Sequence, residues 1–241
     1  MCAFTFGSAM GCAEAYLHGA KWVYVVQMAA VTLFVAWRFV REQLRRPMPI
    51  LPFDLLRIPI FSLSIITSIC SFTAQMAAMV ALPFILRHDL GYDAVGTGLL
   101  FTAWPMVIMV VAPVAGMLVE RIHAGYLGLA GLTIMAFGLV MLGLLPESPS
   151  HFDIVWRLVA CGMGFGIFQS PNNSIMIASA PQHRSGSASG MLASARLVGQ
   201  TLGAAMVAMS FRLNGGEVTR AALFVAAGLA LFGAALSASR I

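Results

Sequence analysis

Residues 94–119 read AVGTGLLFTAWPMVIMVVAPVAGMLV, and no charged side chain interrupts them. A helix needs about 20 mainly apolar residues to cross a bilayer core. This stretch is long enough, and polar joints bound it: RHDLGYD at 87–93 and ERIHAG at 120–125. Six similar blocks flank it, at about 22–41, 58–86, 126–145, 152–178, 184–211 and 219–239, after a shorter apolar remnant at 1–19. Seven candidate spans predict an all-α, polytopic transmembrane helix bundle.

Composition supports this. Of the 241 residues, 60% are hydrophobic and 10% charged, and the mean hydropathy is +0.89. A soluble domain carries about a quarter charged residues. Most soluble enzyme classes are therefore excluded. A net charge of +5 raises nucleic acid as a partner, but the basic residues cluster in short loops, as a lipid bilayer requires. No nucleic-acid partner is expected.

The joints suit tight turns between antiparallel helices. RHDLGYDA contains Gly91, PESPSHFD two prolines, and LNGGE the run Asn214-Gly215-Gly216. The joint at 41–59 is longer, with four Arg and four Pro, and reads as a basic interfacial linker. Three parts follow: 1–41, a helix remnant plus a linker helix; 42–57, a cytoplasmic basic linker; and 58–241, a six-helix bundle.

Charge sets an expected orientation. With the linker inside, Arg38, Arg41, Arg45, Arg46, Arg57, Arg121, Arg184 and Arg240 lie inside with Glu42, Asp54 and Glu120. Lys21, Arg87, Arg157, Arg212 and Arg220 lie outside with Glu14, Asp89, Asp93, Glu147, Asp153 and Glu217. Basic residues outnumber acidic ones inside and not outside, so the C-terminus is expected in the cytoplasm.

Chemistry-bearing residues are few. Cys2, Cys12, Cys70 and Cys161 have no metal-ligand spacing. No metal or cofactor is expected. HExxH, GxSxG and P-loop motifs are absent, so no enzyme is expected. Gly162, Gly164 and Gly166 form GxGxG inside an apolar helix. Without a preceding strand this is no dinucleotide site, and close helix packing is expected. Gly186 with Gly190, and Gly199 with Gly203, repeat the four-residue spacing of small residues that lets helices approach.

Gln169, Asn172 and Asn173 surround Pro171 within one span. Such groups face protein or a wet cavity, not lipid. Two readings stay open, cavity lining and helix-to-helix hydrogen bonding. Arg196 lies well inside a span with no intramembrane acid to neutralise it. It is expected to bond to carbonyls or amides, to meet cavity water or a group outside this chain, or to snorkel. Gln75 is less easily hidden than the neighbouring hydroxyls, which bond back to their own helix. Trp104 lies near mid-span, as core filling or as the wall of an apolar pocket. Gln75, Trp104, Gln169, Asn172, Asn173 and Arg196 are the substrate-cavity candidates.

From about residue 53 the chain resembles the C-terminal half of a major facilitator superfamily transporter, most closely the fourteen-helix drug/proton antiporter branch of EmrB/QacA type. LGYDAVGTGLLFTAWPMVIMVVAPVAGMLVER, at 90–121, resembles its loop and tenth helix. Gly116, Glu120 and Arg121 fall in GMLVER, which resembles a degenerate second copy of the G-x-L-a-D-R loop motif. The copy decays after that, at His123, Ala124 and Gly125. CGMGFGIFQSPNN and HRSGSASGMLASARLVGQTLGAA resemble its twelfth and thirteenth helices. Gly199 to Ala204 keep the spacing of the G-P-x-x-G-G antiporter motif, with Gln200 and Ala204 substituted.

The resemblance implies proton-driven efflux of amphipathic, often cationic, drugs across a bacterial inner membrane, by helices rocking at Gly186, Gly190, Gly199 and Gly203. It also implies a missing N-terminal six-helix half carrying the proton-coupling acid, so the chain is expected to be N-terminally truncated. The alternatives are a non-transporting membrane fragment or scaffold, or an exporter of a siderophore or metabolite.

Overall fold

The computed structural model describes residues 53–181, 184–213 and 220–240, with Gln27, Ala30, Val31, Phe34, Trp37, Arg38 and Arg41 from a helical segment near the N-terminus. The remnant at 1–19, most of the span at 22–41, the linker from 42 to 52 and the turn at Asn214-Gly215-Gly216 lie outside the described residues. The chain divides into two units, Met1–Leu51 and Pro52–Ile241. In the first, the Arg41 guanidinium lies 5.2 Å above the Trp37 ring.

The second unit is a bundle of six long apolar helices: α1 Pro59–Phe84, α2 Ala94–Leu118, α3 Ala124–Gly143, α4 His151–Ala178, α5 Ser185–Leu213 and α6 Ala221–Ala238. Each matches an apolar block of the sequence to within a few residues. No strand occurs among the described residues. Local signals set the ends. A 3-10 turn, Phe53–Arg57, leads into α1, where Pro59 occupies the first turn and so forfeits no helical donor. Pro83 precedes a π-helical turn, Ile85–Asp89, which ends at Gly91 with φ +69°. Asp93 caps α2 by accepting from Gly96 N at 2.9 Å, and Ser150 caps α4 by accepting from Asp153 N at 3.1 Å.

The packing order has an internal symmetry. α1 packs on α5 and α6, α4 packs on α2 and α3, α3 packs on α6, and α1 meets α4 at the centre. Exchanging α1–α3 with α4–α6 leaves this scheme unchanged. The core lies between α1, α3, α4 and α6, around Phe72, Leu82, Leu132, Met135, Leu139, Phe165, Phe168 and the alanines of α6. α2 and α5 are peripheral and bury least. They expose Leu99, Met109, Val110, Leu197 and Met209, side chains that suit lipid or another apolar surface.

Glycine sets how closely the helices approach. Gly162 and Gly166 lie one turn apart and face α2, where an added Cβ would meet Trp104 O at 2.7 Å and Val111 at 3.2 Å. Gly164, between them, faces α3, where a Cβ would overlap Met135 N. The GxGxG run therefore packs α4 against two helices at once. Gly116 faces Ser170 of α4. Gly199 and Gly203 seat α5 on α1, against Ile69 O and Phe72 Cβ at 2.8 Å and Met76 Cβ at 2.9 Å. Gly190 is half-buried. Gly186 departs from the expected contact, because a Cβ there meets nothing within 4 Å. It lies in the first turn of α5.

Candidate functional site

Two polar groups break the apolar bundle, and adjacent residues of α4 separate them. The first is a buried network joining α1, α4 and α6. Arg240, just past α6, donates through Nη1 to Ser64 Oγ and Asn172 Oδ1, both at 2.9 Å, and through Nη2 to Thr67 Oγ1 at 2.8 Å. Asn172 Nδ2 donates in turn to Ser68 Oγ at 2.8 Å. Hydroxyls are available because Ser64 and Thr67 each return their own proton to the carbonyl four residues earlier. Burial lowers the Arg240 guanidinium to about 10, so it stays charged at neutral pH. The sequence reading counted Arg240 among the inside charges; its head is inserted between α1 and α4.

The second group lines an open cleft of about 460 Å³ between α1, α4 and α5. Its walls are Phe72 of α1, Gln169 and Asn173 of α4, and Ser189, Leu192, Ala193, Arg196, Leu197 and Gln200 of α5. Helix register explains the assembly. Arg196 lies about 16 Å from the start of α5 and Gln169 about 14 Å from the end of α4, at 1.5 Å per residue. Those two ends adjoin through a short turn, so the side chains lie at one level.

The Arg196 guanidinium lies over the Phe72 ring, 5.5 Å from its centroid, a cation–π geometry. Among the described residues it has no hydrogen-bond or ion-pair partner, whereas the sequence reading expected bonded carbonyls or amides. Nothing else in the cleft is charged. Asn173 Oδ1 is buried and lacks a partner. A buried acceptor without a donor is costly.

Gln169, Asn173 and Arg196 thus converge, and Gln200, legible only as a motif substitution, joins them. The other candidates lie elsewhere. Asn172 belongs to the Arg240 network and is buried at 3% exposure. Trp104 is fully buried in the α2–α4 contact, because Gly162 lets α4 close over it. Gln75 is half-buried on α1, one turn beyond Phe72 and outside the cleft wall. Glu120 and Arg121 are exposed in the turn after α2.

At the opposite end of α4, Arg157, counted among the outside charges, is drawn into the bundle. It is buried in the second turn, bidentate to Asp153 at 3.0 Å, and also donates to Met141 O at the end of α3. Arg220 donates to Leu145 O nearby. Both cations cap the carbonyl end of α3.

A family profile described as Major Facilitator Superfamily matches residues 1–204 and 66–239. The chain is 52% identical over 241 residues to the uncharacterized transporter YebQ of Escherichia coli, covering 100% of this chain and 53% of that protein. It is 30% identical over 151 residues to the riboflavin transporter RibZ of Clostridioides difficile, covering 63% of this chain and 33% of that protein. It is 30% identical over 169 residues to the multidrug resistance protein Stp of Mycobacterium tuberculosis, covering 70% and 31%. The chain spans about half the length of the first of these relatives and about a third of the others. With matches of this extent on a bundle of six membrane-length helices, the chain belongs to the Major Facilitator Superfamily.

Proposed function

We propose that the chain forms the C-terminal bundle of an efflux transporter of the fourteen-helix drug/proton antiporter branch, moving amphipathic compounds out across a bacterial inner membrane. The observation that carries the reading is the α1–α4–α5 cleft. In a bundle otherwise filled with apolar side chains, Gln169, Asn173, Arg196 and Gln200 gather around one open cavity beside Phe72. Polar groups inside a membrane bundle are costly and mark substrate paths. Transporters of inverted-repeat design place substrate near mid-membrane between halves. The relatives from Mycobacterium tuberculosis and Clostridioides difficile, a multidrug resistance protein and a riboflavin transporter, support a small-molecule cargo.

In this reading a preceding six-helix bundle supplies the opposite wall and the acid that couples transport to protons. No Asp or Glu occurs in α1, α2, α3, α5 or α6, and the one in α4, Asp153, is bound to Arg157. The test is export from the complete reading frame in an efflux-deficient bacterium, with a panel of ethidium, rhodamine 6G and carboxyfluorescein. A panel dye should leave the cells faster than from a vector control, and a protonophore should stop it. Gln169→Ala with Asn173→Ala should slow export while the protein still reaches the membrane. Export unchanged by the pair removes the cleft from the path.

A further inference from the structure

The charge of the cleft selects a class of cargo. Arg196 is its one ionisable group, and among the described residues the guanidinium meets only the Phe72 ring. Between Ile154 and Leu213, the stretch that supplies α5 and nearly all of α4, no acidic residue occurs, and α1 has none either. The nearest acid along α4, Asp153, is held by both oxygens on Arg157 at 3.0 Å, about four turns from Gln169. No acid of α1, α4 or α5 therefore compensates the positive charge of the cleft.

The remaining lining is amide and aromatic. Gln169, Asn173 and Gln200 offer paired donors and acceptors. Phe72, Leu192 and Leu197 offer an apolar bed. A ligand that satisfies all of these carries an anionic oxygen group for Arg196, hydrogen-bonding groups for the amides and a flat apolar body. A cation of the same size meets the like charge of the guanidinium, which repels it. We propose that the cleft takes anionic amphipaths, carboxylates or similar oxyanions on an aromatic body, in preference to cations. This rests on the cleft's being the substrate site, and it reverses the charge implied by the family resemblance.

The experiment compares two dyes that share a xanthene body, carboxyfluorescein as the anion and rhodamine 6G as the cation. The transporter, purified from its complete reading frame, is placed in phosphatidylcholine nanodiscs, so that the lipid carries no net charge, and binding is read by fluorescence anisotropy. Carboxyfluorescein should bind at least about tenfold more tightly than rhodamine 6G, the order of one desolvated charge pair. Arg196→Gln should erase the preference, and Arg196→Lys should keep part of it. Asn173→Ala should weaken the anion without reversing the preference.

Tighter binding of rhodamine 6G by the unaltered protein overturns the proposal, whether or not Arg196→Gln folds. So does a preference for carboxyfluorescein that Arg196→Gln leaves intact. If rhodamine 6G is preferred and Asn173→Ala weakens it, the cleft remains the site and only the charge class fails. If neither dye binds, or neither variant changes binding, the site itself fails.

Discussion

Asn172 and Asn173 are consecutive in α4 and face opposite tasks. Asn172 Oδ1 accepts from Arg240 at 2.9 Å inside the α1–α4–α6 network, while Asn173 lines the cleft with Arg196. A helix turns about 100° per residue, so one step carries the side chain from a packed junction to an open wall. Pro171 lies just before both. Strain or displacement at the junction would reach the cleft through a single peptide unit.

The Arg240 network should contribute measurably to stability. Arg240→Ala leaves Asn172, Ser64 and Thr67 short of one donor each. The expected loss is about 1–2 kcal/mol, since polar contacts inside membrane proteins are worth less than their vacuum strength. Unfolding of Arg240→Ala, Asn172→Ala and the double variant in mixed detergent reads it. The double variant should lose less than the two single losses combined, because they share one contact. Full additivity would remove the direct coupling.

Two glycines of equal appearance in the sequence should respond oppositely. A Cβ at Gly164 overlaps the α3 backbone at Met135 N and Gly131 O. Gly164→Ala should therefore cost about 1–3 kcal/mol, as overpacking does. Gly186 has open space around its Cβ position, and Gly186→Ala should stabilise by about 0.5–1 kcal/mol through helix preference alone. Thermal melting of both variants in detergent decides it. A loss at Gly186, or none at Gly164, contradicts the packing described.

Hydropathy made the six helices legible, because an apolar block of membrane length has one common solution. The cleft was partly legible. Gln169, Asn173 and Arg196 stood out as polar groups in apolar helices, and their depths agree. The division of Asn172 from Asn173 was not legible, since it depends on which side of α4 each neighbouring helix occupies. Nor was the role of Arg240, whose partners Ser64 and Thr67 lie more than 170 residues away in sequence. The choice between the two readings of Trp104 was not legible for a related reason: the closeness permitted by Gly162 seals the ring in the core.

The orientation expected from the charge distribution is open to labelling. In a background free of native Cys, Ser148→Cys in the α3–α4 joint should react with an impermeant maleimide in intact cells. Ile122→Cys in the α2–α3 joint should react only after the membrane is opened. Both positions are exposed in the bundle, so access depends on the side of the membrane. The reverse pattern inverts the topology.

Residues 1–241 expressed alone should insert into the membrane without transporting. The cleft has walls from α1, α4 and α5 and opens on its remaining side, and alternating access needs two bundles around a shared site. In an efflux-deficient bacterium this chain should give no dye efflux sensitive to a protonophore. Sustained, protonophore-sensitive efflux would point instead to two copies completing one cavity.

The central claim is that substrate passes along the α1–α4–α5 cleft, and plugging that cleft tests it most directly. Ala193 lines the cleft on α5, and Val225 is exposed on α6, away from it. Each is replaced by Cys in the Cys-free transporter expressed from its complete reading frame, then alkylated with a bulky maleimide in everted vesicles. Export of whichever panel dye the unaltered protein carries should stop on alkylation at position 193 and continue on alkylation at position 225. Export that survives complete alkylation at position 193 contradicts the account.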